Sequence, residues 1–283
     1  SDNEHIKYTL IPNFKDKIKS RHNENYDTTY SINSLGLRGS EPKRKKDAIN
    51  IVVVGDSISF GLGLEGDYVY PVVLEKKLNS WAEQNNLSLD FEVYNCSVPG
   101  YNSEQEYFFC KNLVEATKPT IVIWQVYYND IYPPMQYAMG NLIYNFEQKF
   151  PSHLLFLLNS YLYRNKIHNK IGPEGVYTSL KSMAEITSNI DAKFVTFIAP
   201  AAFELKNLDK LKKDSVGFVK LLKRAPSEYI DIISAFNGFS KEDIQVRPKD
   251  GHWNRIGHEL VADKLAKRVI RHMKRKRNTY ESK

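Results

Sequence analysis

A chain of 283 residues with 42% apolar content can bury the core of one large domain, which excludes a disordered or fibrous protein. Its formal net charge of +7 divides into a neutral body and a basic end. Lys264, Lys267, Arg268, Arg271, Lys274, Arg275, Lys276 and Arg277 hold eight of the 40 basic residues, and the other 32 face 33 acids. No apolar run approaches the ~18 residues of a membrane span, and two cysteines, Cys96 and Cys110, are too few for a disulfide framework or a zinc site and are expected as buried free thiols.

Residues 1–50 read as a polar, irregular N-terminal arm packing on the domain, with short extended pieces at Tyr8 to Asn13 and Asn33 to Gly39 and a basic run at Lys43 to Lys46. The domain proper spans 51–273. It opens with Ile51-Val52-Val53-Val54, a run without polar alternation, as expected of a parallel strand buried on both faces. Pro71 begins a helix with an apolar stripe through Trp81, Phe91 to Asn95 is a second strand, and a helix follows from about Ser103 with Glu106 as its capping-box partner. Thr120 to Val126 is a third strand. From 131 to 175 the pattern loosens into an insertion holding an apolar patch from Leu154 to Tyr163. Regularity returns with a helix near Tyr177 to Asn189, a strand at Lys193 to Ile198, helical segments from Glu204 to Arg224, a short strand at Ile230 to Ile233, and a final helix from Arg255 with Asn254 as N-cap. Residues 274–283 form a basic tail, expected as a solvated helix end at the negative pole of its dipole. A polyanion or an anionic membrane surface is the sharper alternative for it, and no nucleic-acid partner is expected. Five strands alternating with helices make an α/β protein with a parallel sheet covered on both faces.

Open α/β sheets place ligands at the carboxyl ends of their strands. There the chain puts Asp56-Ser57, Gly100 and Asn129-Asp130, while Asp250-Gly251-His252 precedes the final helix. The acid can orient the histidine, with Gly251 letting the backbone fold between them, and the histidine can take a proton from Ser57. The backbone N–H groups of Ser57 and Gly100 and the Asn129 amide are donors suited to a developing oxyanion. Ser59 competes as nucleophile but does not directly follow the turn acid. Asp56 and Asp130 are expected to hold turns, His258 to face a helix, and His5, His22, His153, His168 and His272 to be solvated.

Gly55-Asp56-Ser57, Gly100, Asn129-Asp130 and Asp250-x-His252 together resemble the four sequence blocks of the SGNH hydrolases, the GDSL-like lipases and esterases, over about residues 50 to 270. The resemblance implies a flavodoxin-like three-layer α/β/α sandwich, a Ser57-His252-Asp250 triad, an oxyanion hole from Ser57, Gly100 and Asn129, and ester chemistry with no metal or organic cofactor. Tyr127 stands where the third block usually has glycine, and acid and base lie two residues apart. That spacing, with Trp253-Asn254 following, is similar to the branch that handles acetyl groups on polysaccharides, O-acetyltransferases included. Tyr127 and Trp253 are therefore expected to contact a sugar, with Tyr128, Tyr132 and Tyr137 nearby; the alternative is that these tyrosines only pack the insertion.

The expected function is a serine esterase of small acyl esters, acetyl esters of carbohydrate above all. The alternatives are an O-acetyltransferase using the same triad and a non-catalytic glycan-binding protein on a hydrolase fold. The arm and the start at Ser1 favour an exported, periplasmic or membrane-tethered protein whose signal or anchor is missing; oligomeric state is not readable. Gly61-x-Gly63-x-x-Gly66 fits a dinucleotide fingerprint only formally, since six residues separate Val54 from Gly61 and no helix opens before Pro71. A Gly-x-Ser-x-Gly elbow is absent.

Overall fold

The computed structural model describes residues 5, 6, 8–18, 28–131, 143–145 and 172–281. The arm is more regular than its composition suggests. It supplies β1 (Tyr8–Leu10), β2 (Lys15–Ile18) and β3 (Thr28–Ser31), of which β2 and β3 pair antiparallel. The apolar run expected as a buried strand lies within β4 (Ile49–Gly55), and Ile51, Val52, Val53 and Val54 are all 0% exposed. Successive strand residues face opposite sides. Accordingly Ile51 and Val53 enter one apolar core and Val52 and Val54 another, which is why this strand shows no polar alternation.

β5 (Phe91–Ser97), β6 (Ile121–Val126), β8 (Lys193–Ile198) and β9 (Glu228–Tyr229) join β4 in a parallel sheet of order β5-β4-β6-β8-β9. β7 (Ile143–Asn145) instead pairs antiparallel with β1 of the arm. Numbered along the sheet the order is 2-1-3-4-5, the flavodoxin-like winding, whose switch point falls between β4 and β6. Helix α1 (Ser57–Phe60) follows β4 directly, then α2 (Tyr70–Gln84), α3 (Ser103–Thr117), α4 (Gly172–Asn189), α5 (Leu208–Arg224), α6 (Lys241–Ile244) and α7 (Arg255–Glu281). The core on one face takes Leu74 and Leu78 of α2 and Val261 and Leu265 of α7; the other takes Val114 of α3, Leu180 and Met183 of α4 and Leu222 of α5. A third core joins the arm to the domain through Tyr8, Leu10, Tyr30 and Ile32 against Phe60, Leu62, Val98 and Tyr101.

Several local expectations are corrected. The last strand is Glu228–Tyr229, two residues early, because Ile233–Phe236 winds as a 3-10 turn. The cap of α3 is Asn102 with Gln105 as its reciprocal partner; Glu106 is fully buried and accepts the indole N–H of Trp124. One is met: α7 continues to Glu281, so the basic stretch from 274 is a helix end, as expected. Cys96 and Cys110 are not free thiols. The end of β5 and the third turn of α3 bring their Cα atoms to 6.0 Å, and the two are joined as a disulfide. Of the insertion expected at 131–175, the residues from 172 begin α4, and the patch from Leu154 to Tyr163 lies outside the described residues, as do Tyr132, Tyr137, His22, His153 and His168.

Candidate active site

β4 ends at Gly55, and the next residue, Asp56, caps α1: its Oδ1 accepts the Ile58 N–H at 2.9 Å. Ser57 thus occupies the first helical position, where the backbone N–H has no intrahelical acceptor. That N–H has no partner among the described residues. β5 leads to Gly100, whose φ of +82° is a left-handed conformation that a Cβ would strain. β6 leads into a turn that Asp130 closes by accepting the Tyr127 N–H at 2.8 Å. Asn129 gives one amide hydrogen to Asp56 Oδ2 at 3.0 Å, which ties the end of the third strand to the nucleophile turn and leaves its second hydrogen for a ligand. Both aspartates hold turns, as expected.

The loop before α7 brings the acid and the base to this edge. His252 Nε2 lies 2.8 Å from Ser57 Oγ, and His252 Nδ1 lies 2.7 Å from Asp250 Oδ1, which also accepts the His252 backbone N–H at 2.9 Å. An ionised carboxylate only accepts, so Nδ1 carries the proton and Nε2 is the acceptor for the serine hydroxyl. The second oxygen of Asp250 accepts Arg247 Nε at 2.9 Å. The backbone does fold back between acid and base at Gly251, without a left-handed φ there. The lack of a side chain at Gly251 makes room for Phe203, since a Cβ there would lie 2.9 Å from the Phe203 ring.

Behind the turn lie three buried carboxyls, Asp56, Glu106 and Asp130. Burial raises each of them, and the neighbouring carboxylates add to the effect at Glu106 and Asp130. Hydrogen bonds from Ile58 and Asn129 partly offset the rise at Asp56.

Some site expectations change and others hold. Trp253 is fully buried, donates its indole N–H to Pro200 O at 2.7 Å and packs on Phe236, so it is a core residue and cannot meet a substrate. A large ring gains more from that burial than from a rim position. Tyr127 is half-buried beside Asn129, its ring 5.9 Å from that of Tyr128, at the edge of the site. Ser59 is fully buried and bonded to Tyr70 Oη and Gln125 Oε1, which removes it as a nucleophile. His258 lies on a face of α7 and is not the base, as expected; that face is the buried one, and His258 Nδ1 accepts the Tyr70 N–H at 3.1 Å. His5 stacks on Phe108 at 3.7 Å and bonds Glu104, so it is not simply solvated. Gly61 ends the four-residue α1 with φ +74°, and α2 opens only at Tyr70, which leaves no dinucleotide cradle.

Three residues beside the site escaped the sequence reading. Gln125 Oε1 accepts from Asp56 N at 3.2 Å, Ser59 N at 3.3 Å and Ser59 Oγ at 2.8 Å, and so holds the nucleophile turn. Its signal was a lone amide in an otherwise apolar strand. Arg247, three residues before Asp250, had a spacing that could have been noticed. Phe203, an exposed aromatic against Gly251, had no sequence signal.

Among solved structures the chain is similar to an acetylxylan esterase from Geobacillus stearothermophilus, with a TM-score of 0.52 and 13% identity over 79% of this chain and 95% of that one. It is also similar to the acetyl xylan esterase AlAXEase, with a TM-score of 0.50 and 16% identity over 78% of this chain and 100% of that one. An α/β hydrolase enzyme from the metagenome of Lake Arreo, Spain, gives a TM-score of 0.51 and 15% identity over 76% and 92%. The fold shared with these enzymes is a parallel α/β/α sandwich. No family model and no curated protein matches the sequence. In this fold all four blocks lie at the carboxyl edge of the sheet, around the switch point between β4 and β6.

Proposed function

We propose that the protein is a serine esterase of small acyl esters, acetyl esters first, with Ser57 as nucleophile, His252 as base and Asp250 as the group that orients it. The observation that carries this is the alignment of Ser57 Oγ, His252 and Asp250 through contacts of 2.8 and 2.7 Å. Ser57 Oγ attacks the ester carbonyl as its proton passes to His252 Nε2. The carbonyl oxygen becomes an oxyanion facing the N–H groups of Ser57 and Gly100 and the free hydrogen of Asn129 Nδ2. Collapse breaks the bond to the alcohol, which leaves with the proton from His252, and an acyl-serine remains. Water, activated by the same histidine, releases the acid.

Carbohydrate as the alcohol is supported by the acetylxylan esterases of like fold and by two aromatic residues, Phe203, exposed against Gly251, and Tyr127, half-buried two residues before Asn129, which suit a sugar ring. A sugar hydroxyl in place of the second water would give the O-acetyltransferase reading. The disulfide favours an oxidising compartment and so an exported protein; among the described residues no helix is long and apolar enough to cross a membrane.

Ser57→Ala is expected to lower kcat/KM for p-nitrophenyl acetate by about three orders of magnitude or more and to abolish labelling by a fluorophosphonate probe, with the circular dichroism spectrum retained. Retention of a tenth of the activity would remove Ser57 as nucleophile, and an unlabelled wild-type protein would favour a glycan-binding protein without catalysis.

A further inference from the structure

The third apolar core places the arm against the two loops that carry backbone oxyanion donors. The contact to the Gly100 loop is direct. Tyr8, on β1 and 2% exposed, donates its hydroxyl to the carbonyl of Pro99 at 2.7 Å, across 91 residues of sequence. That carbonyl shares a peptide plane with the Gly100 N–H. In a trans peptide the two groups point to opposite sides of a rigid plane, and no described peptide bond is cis. A donor fixed on the Pro99 oxygen therefore fixes the direction of the Gly100 N–H, and polarises it as a hydrogen-bond donor. Tyr8 is itself held: Tyr101, just beyond Gly100, donates its hydroxyl to the Tyr8 carbonyl, and the two rings meet edge to face at 5.1 Å.

The second contact reaches the nucleophile turn. The buried guanidinium of Arg38 lies over the rings of both Tyr30 and Phe60, 4.4 and 4.5 Å from their centroids, and its Nη2 donates to the Leu64 carbonyl at 2.5 Å. Tyr30 Oη accepts the Gly63 N–H at 2.8 Å. The loop so held returns to the serine, because the N–H groups of Gly61 and Leu62 both donate to the carbonyl of Ser57 at 3.1 and 3.0 Å. The segment Asn33 to Gly39, distinctive in the sequence and outside the four blocks, carries this arginine.

We propose that the arm is a brace for the oxyanion hole, in which Tyr8 orients the Gly100 N–H and Arg38 with Tyr30 sets the Ser57 turn. These are positioning residues; none touches the substrate. The proposal rests on the function proposed above for its catalytic consequence, but its structural half can be measured without activity.

The test uses the full chain as wild type, Tyr8→Phe, which removes one hydroxyl from a buried ring, and Arg38→Lys. Amide hydrogen exchange is followed at 57–64 and 97–102, and kcat and KM for p-nitrophenyl acetate are measured per active site titrated with fluorophosphonate. The affinity of benzeneboronic acid, which forms a tetrahedral adduct on serine, is measured alongside. In Tyr8→Phe, exchange at 97–102 is expected to quicken by about tenfold while β4 is unmoved, since opening there is local. The kcat per titrated site and the boronic acid affinity should each fall by roughly tenfold, with KM within about twofold, as for a misplaced transition-state donor. Arg38→Lys should act in the same way on 57–64. A purely structural arm would lower the titratable fraction and leave kcat per site alone. Exchange unchanged in Tyr8→Phe, or quickened exchange with kcat per site and boronic acid affinity both within twofold of wild type, overturns the proposal. Should wild type prove unreactive toward the probe, the esterase reading fails by itself and exchange alone decides for or against the brace.

Discussion

At the scale of single residues, the buried polar groups are sorted by what they can bond. His258 accepts the first N–H of α2 through Nδ1 and must be neutral to do so, and burial, with the charges of Arg38 and His252 adding to it, holds it down to about 3. A base whose folded value lies below its ordinary ~6.5 binds fewer protons folded than unfolded in between. Stability is then fully present above pH ~6.5 and is lost as the pH falls toward 3. His258→Gln keeps a neutral acceptor that does not titrate. Its melting temperature is expected to fall less than that of wild type between pH 7 and pH 5; equal losses would show that His258 does not govern the acid limb. Glu106 and Asp130 act in the opposite direction: their folded values are raised, so their contribution to stability is lost as pH rises above the carboxylate range.

At the scale of elements, the site depends on how strand ends are tied together. Gln125 of β6 reaches the turn after β4, Asn129 reaches Asp56, and the disulfide joins the end of β5 to α3 across the Gly100 loop. A cross-link closing a loop of this size is worth about 3 kcal/mol, chiefly by restricting the unfolded chain. Replacing both Cys96 and Cys110 by serine should lower the unfolding free energy in urea by about that amount, and dithiothreitol should lower that of wild type but not of the variant. A variant as stable as wild type would mean that the cross-link contributes nothing to the fold. Ser97 to Asn102 lies inside the closed loop, so its exchange rates should rise most.

At the scale of the molecule, chemistry and charge lie at opposite ends. α7 starts beside His252 and spans about 40 Å over its 27 residues. Its basic last turns reach the amino end of the sheet, where Lys276 lies 4.0 Å from Asp191, just ahead of β8. At the other end Phe203 is 46% exposed and Tyr127 half-buried. Along a series of p-nitrophenyl esters, kcat/KM is expected to be highest for acetate. A groove suited to lipid would instead gain up to ~0.8 kcal/mol per methylene, and a steady climb from acetate to octanoate would refute the small-acyl reading.

The sequence by itself determined the alternation of strands and helices and the order of the four blocks. Periodicity is local, and a parallel α/β sheet sends every strand end to the same edge. That rule places Ser57, Gly100 and Asn129 together, the spacing of Asp250 and His252 marks an acid and a base to join them, and His252 does lie 2.8 Å from Ser57. Only the tertiary structure decided the rest, because it depends on partners distant in sequence. Trp253 looked like a rim residue by its neighbours in the chain, yet its indole is taken by Pro200 and its ring by Phe236. The cysteines pair because α3 docks along β5, and Gly251 is small because Phe203 comes to lie on it. The arm looked irregular because its strands are short and its order comes from contact with the domain; Tyr8 meets Pro99 only once the chain between them has folded.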